Sequence, residues 1–284
     1  MKILVLGGSG MAGHTIAIYL KESGHDVASF SRGKLDYCPG IIGDVLKFDA
    51  LNKIIKDGQY DAVINAVGIL NRDADNNKPN AVLLNSYLPH FLSDSTKGMK
   101  TRVIHMSTDC VFSGKTGGYG ETSLKDGETF YDRTKALGEL ENNKDLTFRT
   151  SIIGPDINQD GIGFFNWFMK QDGPIKGYSK AIWTGVTTLT LAKAMEQALT
   201  EDLSGLYNLV NNTTISKYDL LRLLNKYMKN DVVEIFPDDL ISLDKSLINN
   251  RTDFSFKVPS YEIMIAEMKR WILDHKELYP HYHI

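Results

Sequence analysis

The sequence predicts an α/β chain: a doubly wound parallel sheet with helices on both faces, then a smaller mixed C-terminal lobe. Three observations predict it. Short apolar runs alternate with segments of helical spacing through the first 150 or so residues. The first apolar run stops in a glycine cluster that opens a helix. After about Thr150 the alternation loosens and glycine and proline punctuate shorter segments.

In order, residues 2–6 form a continuous apolar run, as expected of a strand buried on both faces. Residues 11–21 have helical spacing, with Gly24 as the stop. Strands follow at 25–30 and 40–43, then a helix at 48–57 and a fourth strand at 62–66. A helix over 80–96 contains Pro89, which should kink it. A fifth strand at 101–106, a helix at 130–142 and a sixth strand at 146–150 complete the repeating pattern. Right-handed crossovers then impose a parallel sheet. Further helices are expected at 189–200, 217–229 and 260–275, the first able to pack back on the main sheet. The division expected is 1–153 for the parallel-sheet domain and 154–284 for the smaller lobe, some of whose elements pack back on the first.

Bulk properties narrow the function. The chain has 284 residues, 42% hydrophobic and 24% charged, with a net charge of −3. That charge gives no general attraction for a phosphate backbone and argues against nucleic-acid binding. Cys38 and Cys110 have neither metal nor redox spacing and read as free thiols of a reducing compartment. The apolar run before Gly7 is short for a signal peptide, and no stretch approaches a membrane span, so a cytoplasmic location is expected. His281 and His283 flank Tyr282 without further ligands, and no metal site is expected.

The glycine cluster carries the first chemistry. It reads both as Gly8-x-Gly10-x-x-Gly13 and as Gly7-x-x-Gly10-x-x-Gly13. One glycine permits the turn, one lets a pyrophosphate approach the backbone, and one lets helix and strand pack closely. The helix N-terminus offers free N–H groups and a positive dipole end. At the end of the second strand stand Phe30, Ser31 and Arg32, with no acid to accept from a ribose 2′-hydroxyl. Arg32 suits a 2′-phosphate, which favours NADPH over NADH, unless it is a solvated loop charge. Asp44, after the third strand, is either an adenine contact or a turn residue.

Tyr131 and Lys135 form the one Tyr-x-x-x-Lys in the chain. With 13 tyrosines, about one such match arises by chance, so its position after the fifth strand matters more. Residues four apart share a helix face. A neighbouring ammonium favours the phenolate, so such a tyrosine can exchange a proton with an alkoxide. Ser107 and Thr108, at the carboxyl end of the fifth strand, are candidates for a second hydroxyl beside it. Phe164, Phe165, Trp167 and Phe168 form an aromatic cluster that reads as packing between lobes rather than base stacking. His105 reads as core.

With these residues in hand, the chain resembles the extended short-chain dehydrogenase/reductase family, with its Rossmann domain. Within it, the chain looks most like the dTDP-4-dehydrorhamnose reductases and related nucleotide-sugar reductases. The resemblance lies in LGGSGMAG, DAVINAVG, MSTDCVFSG, GYGET, YDRTKALGE and FRTSIIGP, in that order over roughly the first 155 residues. It implies that Thr108, Tyr131 and Lys135 are the catalytic set. It places Gly7, Gly10, Met11, Gly13, Ser31, Arg32, Asp44, Val45, Asn65, Ala66, Gly68, Asn85, Ser107, Lys135, Thr150 and Ser151 at the cofactor. Asn85 falls where the family often supports the lysine. Thr108, Asp109, Val111, Tyr131, Ile152, Trp183 and Arg251 are placed at the substrate, Arg251 either on its diphosphate or at the surface.

Three positions depart from the family. Asp132 replaces the usual Gly after the tyrosine, Ile152 replaces a Trp, and Thr252 replaces the Pro after Arg251. The activity implied is NADPH-dependent reduction (NADH being possible) of the C4 ketone of a nucleotide-linked 4-keto-6-deoxy sugar, by a monomer or homodimer. Two alternatives stand beside it. One is an epimerase or dehydratase that retains NAD, although Asp109-Cys110 supplies half of the dehydratase acid pair. The other is a non-catalytic regulatory subunit that binds a dinucleotide and a partner protein.

Overall fold

A computed structural model describes residues 1–284, apart from the side chain of Arg72. Strand β1 (Lys2–Leu6) leads into helix α1 (Met11–Glu22), then β2 (Asp26–Ser31), β3 (Gly40–Ile42), α2 (Phe48–Gly58) and β4 (Ala62–Asn65). Short helices α3 (Asn71–Asn76) and α4 (Lys78–Ala81) precede a π-helical segment, Val82–Tyr87, and α5 (Leu88–Ser95). Strand β5 (Arg102–Ser107), a single 3₁₀ turn (Asp109–Val111), α6 (Phe130–Leu137) and β6 (Leu146–Arg149) complete the repeating part. The remainder is β7 (Ser151–Ile153), α7 (Phe164–Met169), β8 (Ile175–Trp183), β9 (Gly185–Thr187), α8 (Thr188–Thr200), β10 (Gly205–Asn208), β11 (Ile215–Ser216), α9 (Lys217–Met228), β12 (Ile235–Asp244) and α10 (Tyr261–Asp274).

The main sheet has seven parallel strands in the order β10-β6-β5-β4-β1-β2-β3. Its order reverses between β1 and β4, and such a switch point opens a crevice at the carboxyl ends of the strands. The apolar run of β1 is buried on both sides. Ile3 and Val5 join the core formed with α1 and α8, while Leu4 and Leu6 join the opposite core with α2 and α5. This double burial is why the run shows no polar alternation.

Helix α8 and strand β10 both come from beyond residue 153. The helix lies beside α1 in one core, through Leu191, Met195 and Ala198 against Ile16, Ala17 and Leu20. The strand extends the main sheet beyond β6. A mixed sheet, β11-β8-β12, and a two-stranded β7-β9 pair make up the second lobe.

Two helices differ from expectation for visible reasons. The 80–96 helix changes to π-helical geometry just before Pro89, which has no N–H to give the Asn85 carbonyl. That carbonyl lies against α6: a Cβ on Gly138 would stand 1.9 Å from it. The helix expected over 130–142 stops at Leu137, with Gly138 as its C-cap. Strands β7 to β12 were not anticipated. They are mostly short, and the two long ones, β8 (IKGYSKAIW) and β12 (IFPDDLISLD), show no clean alternation of apolar and polar residues. Among the described residues no helix is long and apolar enough to cross a membrane.

The last residues of the chain return to the glycine loop. His14 is fully buried; its Nδ1–H donates to the Gly10 carbonyl at 2.9 Å, and its Nε2 accepts from the Tyr279 hydroxyl at 2.7 Å. Burial lowers the His14 pKa to about 4, from an ordinary 6.5. Protons therefore bind the unfolded chain first as the pH falls. The stability His14 contributes is complete above about pH 6.5 and is lost between there and pH 4, by about 3 kcal/mol. Urea unfolding across that window should show this decline, and His14→Gln should flatten it.

Candidate active site

The turn after β1 is shaped by its glycines. Gly7 has φ +84°, which a side chain would strain, and a Cβ on Gly13 would lie 2.1 Å from the Gly7 carbonyl oxygen. Gly10 is the N-cap of α1, and the first helical bond is from the His14 N–H to the Gly10 carbonyl at 3.1 Å. The N–H groups of Met11, Ala12 and Gly13 precede that bond and have no helical acceptor.

Gly10 and Met11 line one wall of a cleft of about 380 Å³. Ala66 and Gly68, after β4, and Thr150, Ser151 and Ile152, after β6, line others. Ser107, Thr108 and Asp109 come from the end of β5, and Tyr131 and Lys135 from α6. Twelve of the residues named from the sequence thus meet in one crevice at the strand ends.

The capping of α6 sets the tyrosine. Thr129 Oγ1 accepts from the Asp132 N–H at 3.1 Å, and the Asp132 carboxylate accepts from the Thr129 N–H at 3.2 Å. This capping box gives Asp132 a structural role at the start of α6. Tyr131 is buried with Ile69, Ala74, Ala81 and Cys110 around it. Burial drives its phenol well above the ordinary value, Cys110 adds to that, and a hydrogen bond with Thr108 acts the other way. Lys135 donates from Nζ to the Met106 carbonyl at 2.6 Å, and burial lowers its pKa to about 8. The expected depression of the phenol by the ammonium is not found: Lys135 is not among the groups that move Tyr131, and burial raises it.

The two strand-end hydroxyls differ in their partners. Ser107 donates to Glu139 Oε1 at 2.6 Å. Thr108 Oγ1 caps the 3₁₀ turn, accepting from the Cys110 N–H at 3.1 Å and donating to Asp109 Oδ1 at 3.0 Å. Asp109 is raised above the ordinary carboxylate value by burial, with Lys217 opposing that rise.

Glu139 is held by Arg149, with Nε to Oε1 at 2.9 Å and Nη2 to Oε2 at 2.8 Å; both side chains are fully buried. Burial resists its charge, but the bonds from Arg149 and Lys125 prevail and keep the carboxyl below its ordinary value.

Several residues named from the sequence lie off the cleft wall. Gly7 and Gly13 form the turn itself. Asn65 bonds the Val67 N–H and His105. Asn85 pins the loop after β4 instead of Lys135: Oδ1 accepts from the Ile69 N–H, while Nδ2 donates to the Ile69 carbonyl and Thr134. Ser31 and Arg32 end β2, where Ser31 donates to the Gly33 carbonyl and Arg32 is exposed. Asp44 accepts from the Leu46 N–H in a turn, and Val45 packs in the core.

Three residues placed at the substrate lie off the cleft wall. Val111 is fully buried among Phe112, Tyr119 and Leu247. Trp183 is 2% exposed and packs on Tyr261. Arg251 bonds the Ser204 and Leu206 carbonyls and Asp253, at the edge of β10. Its guanidinium stacks over Tyr207 with these partners, so it is not aimed into the cleft.

Sequence reasoning missed other parts. Ile162, Gly163 and Phe164 line the cleft, whereas Phe165 and Phe168 are core as expected. Lys217, first in α9, lies over the rings of Phe164 and Trp183, 4.5 and 5.5 Å from their centroids. The signal for Glu139 and Arg149 was two charged residues inside otherwise apolar segments. Among the described residues no cluster of His, Cys, Asp and Glu could hold a metal ion.

Comparison with known proteins gives three likenesses and one family. The family model described as the RmlD substrate binding domain matches residues 1–240. A probable low-salt glycan biosynthesis reductase, Agl14, of Haloferax volcanii is 23% identical over 258 residues, 86% of each chain. The methionine adenosyltransferase 2 subunit beta of Xenopus tropicalis is 22% identical, over 77% of this chain and 70% of that one. A solved dTDP-4-dehydrorhamnose reductase from Bacillus anthracis, in complex with NADP, superposes with a TM-score of 0.79 at 19% identity, covering 94% and 98% of the two chains.

Replacing Glu139 by Gln leaves Arg149 buried with half its partner. Unfolding in urea should show a loss of about 3–5 kcal/mol.

Proposed function

Because this chain belongs to the RmlD substrate binding domain family, extended short-chain dehydrogenases/reductases of the nucleotide-sugar reductase type, we propose that it reduces the C4 ketone of a nucleotide-linked 4-keto-6-deoxy sugar with NADPH. The observation that carries this reading is the convergence of Thr108, Tyr131 and Lys135 in the crevice that begins at the glycine turn. Residues 1–153 hold the dinucleotide in this reading, and 154–284 supply most of the sugar side.

The turn suits a dinucleotide. The gap between Gly7 and Gly13 leaves no room for a side chain, and the N–H groups of Met11 and Ala12 are free of helical partners. They would hold the pyrophosphate, with Arg32 near a 2′-phosphate. NADPH bound there supplies the hydride, with NADH as the weaker alternative. Tyr131, kept protonated by burial, gives its proton to the sugar oxygen. Thr108 directs its hydroxyl to the same oxygen by releasing Asp109. Lys135 holds the ribose. Ile152, in place of the family's Trp, leaves the sugar wall aliphatic. Such an enzyme would serve deoxysugar and cell-surface polysaccharide synthesis in the cytoplasm, as a monomer or homodimer.

The likeness to a methionine adenosyltransferase subunit favours one further reading, a dinucleotide-binding regulatory protein. The tyrosine and lysine weigh against it, since a purely binding role needs neither. Retained NAD, as in an epimerase or dehydratase, would leave NADPH unconsumed.

The deciding measurement is NADPH oxidation with dTDP- and UDP-linked 4-keto-6-deoxy sugars. Tyr131→Phe should lower kcat about 100-fold or more while leaving NADPH binding intact. Full activity in that variant sinks the assignment. Arg32→Ala should weaken NADPH binding about tenfold, through loss of a charged hydrogen bond, and leave NADH binding little changed.

A further inference from the structure

Behind the cleft, a line of polar side chains reaches Lys135 from the sheet. Asn65 and His105 are direct partners in the parallel register of β4 and β5. Both are fully buried. Their polarity follows from one backbone group. The Val67 N–H donates to Asn65 Oδ1 at 3.1 Å, so the amide nitrogen is the end that faces the histidine. It donates to His105 Nδ1 at 3.2 Å. A neutral imidazole that accepts at Nδ1 carries its hydrogen on Nε2, and the tautomer is assigned from that partner. Nε2 stands 3.4 Å from Lys135 Nζ.

An N–H therefore points at the lysine nitrogen. An ammonium has three donors and no acceptor, so it meets this group donor to donor. An amine has a lone pair and accepts. The other strand contact, to the Met106 carbonyl at 2.6 Å, is available to either form.

We propose that Asn65 and His105 are positioning residues that act through Lys135: their fixed N–H favours its amine form, making the lysine a proton-exchanging group rather than a permanent cation. This rests on the reading that Lys135 serves the reductase reaction. The amine keeps one hydrogen on Met106 and accepts from His105, leaving its other hydrogen for the cleft. The ammonium, when it forms, must direct its remaining donors into the cleft as well.

The surrounding charges are consistent with this role. Burial lowers Lys135 to about 8, and Glu139 on its own helix pulls the other way, itself neutralised by Arg149 and Lys125. Burial is the largest cause that keeps His105 neutral, and an ammonium at Lys135 acts in the same direction whenever it forms. Tyr131, one turn earlier on α6, faces Asp109 and Cys110.

The test reads Lys135 directly. Its 13Cε resonance is assigned by its loss in Lys135→Arg and titrated in the full chain without dinucleotide or sugar. The native midpoint is expected near 8. In His105→Gln, the amide can turn its oxygen to the ammonium. In Asn65→Asp, the carboxylate accepts the Nδ1–H and leaves Nε2 as an acceptor, but its added charge raises the midpoint as well, so a rise in His105→Gln is the result that supports the inference. Each midpoint should rise by roughly one pH unit, a tenfold gain in proton affinity. An unmoved midpoint in a variant whose thermal transition remains cooperative overturns the inference and makes His105 plain core. If Asn65→Asp does not fold, His105→Gln decides alone. No turnover is needed, so failure to reduce any keto sugar would overturn the functional reading without touching this comparison.

Discussion

The pairing of Glu139 with Arg149 is the constraint on which the crevice depends. A carboxylate and a guanidinium buried without water are tolerable only when each is bonded by the other in full. Arg149 closes β6, and Glu139 follows the end of α6. Ser107, the register partner of Arg149 at the end of β5, donates to the same carboxylate. The Phe112 ring lies under the guanidinium, its centroid 4.9 Å from the guanidinium carbon, and Lys125 bonds the carboxylate from outside. Two strand ends and one helix are thereby tied to a single charge pair. The helix is the one that carries Tyr131 and Lys135.

The same burial decides the chemistry of the cleft. Taking a group out of water penalises its charged form, so it raises acids and lowers bases. Tyr131 and Asp109 go up, and Lys135 and His105 go down. The common direction is toward neutrality. With these shifts Tyr131 stays a protonated donor at the strand edge, which suits a substrate whose own oxygen becomes negative during reaction.

The walls of the crevice are braced from the end of the chain. Tyr279 bonds His14, which bonds the Gly10 carbonyl in the glycine turn, and Trp271 of α10 donates to the same phenol at 3.1 Å. Tyr282 accepts from the Asp156 N–H at 3.0 Å and donates to Asn166 at 2.9 Å. Asn166 in turn bonds the Gly161 carbonyl at 2.7 Å, just before Ile162 and Gly163 in the cleft wall. Residues more than 260 positions from the glycine turn thus hold it in place. Nothing in their local pattern announces this. His281 and His283 flank a tyrosine whose hydroxyl is the useful group.

The Rossmann half was legible because its signals are local. A strand buried on both faces must be apolar throughout, a tight turn must have glycine, and a helix must be capped. Residues 2–6, Gly7 to Gly13 and the Tyr131–Lys135 spacing each carry their meaning within a few positions. The family resemblance, too, followed from the order of such segments. What tertiary structure alone decided were relations between distant residues. Register set His105 against Asn65 and so against Lys135, making a residue dismissed as core part of the site's surroundings. Close approach to the Asn85 carbonyl leaves no room for a side chain at Gly138, where α6 ends. The partners of Arg251 and the packing of Val111 and Trp183 turned three substrate candidates away from the cleft. A side chain's direction depends on which neighbours remain unsatisfied once the chain has folded, and that is not written at its own position.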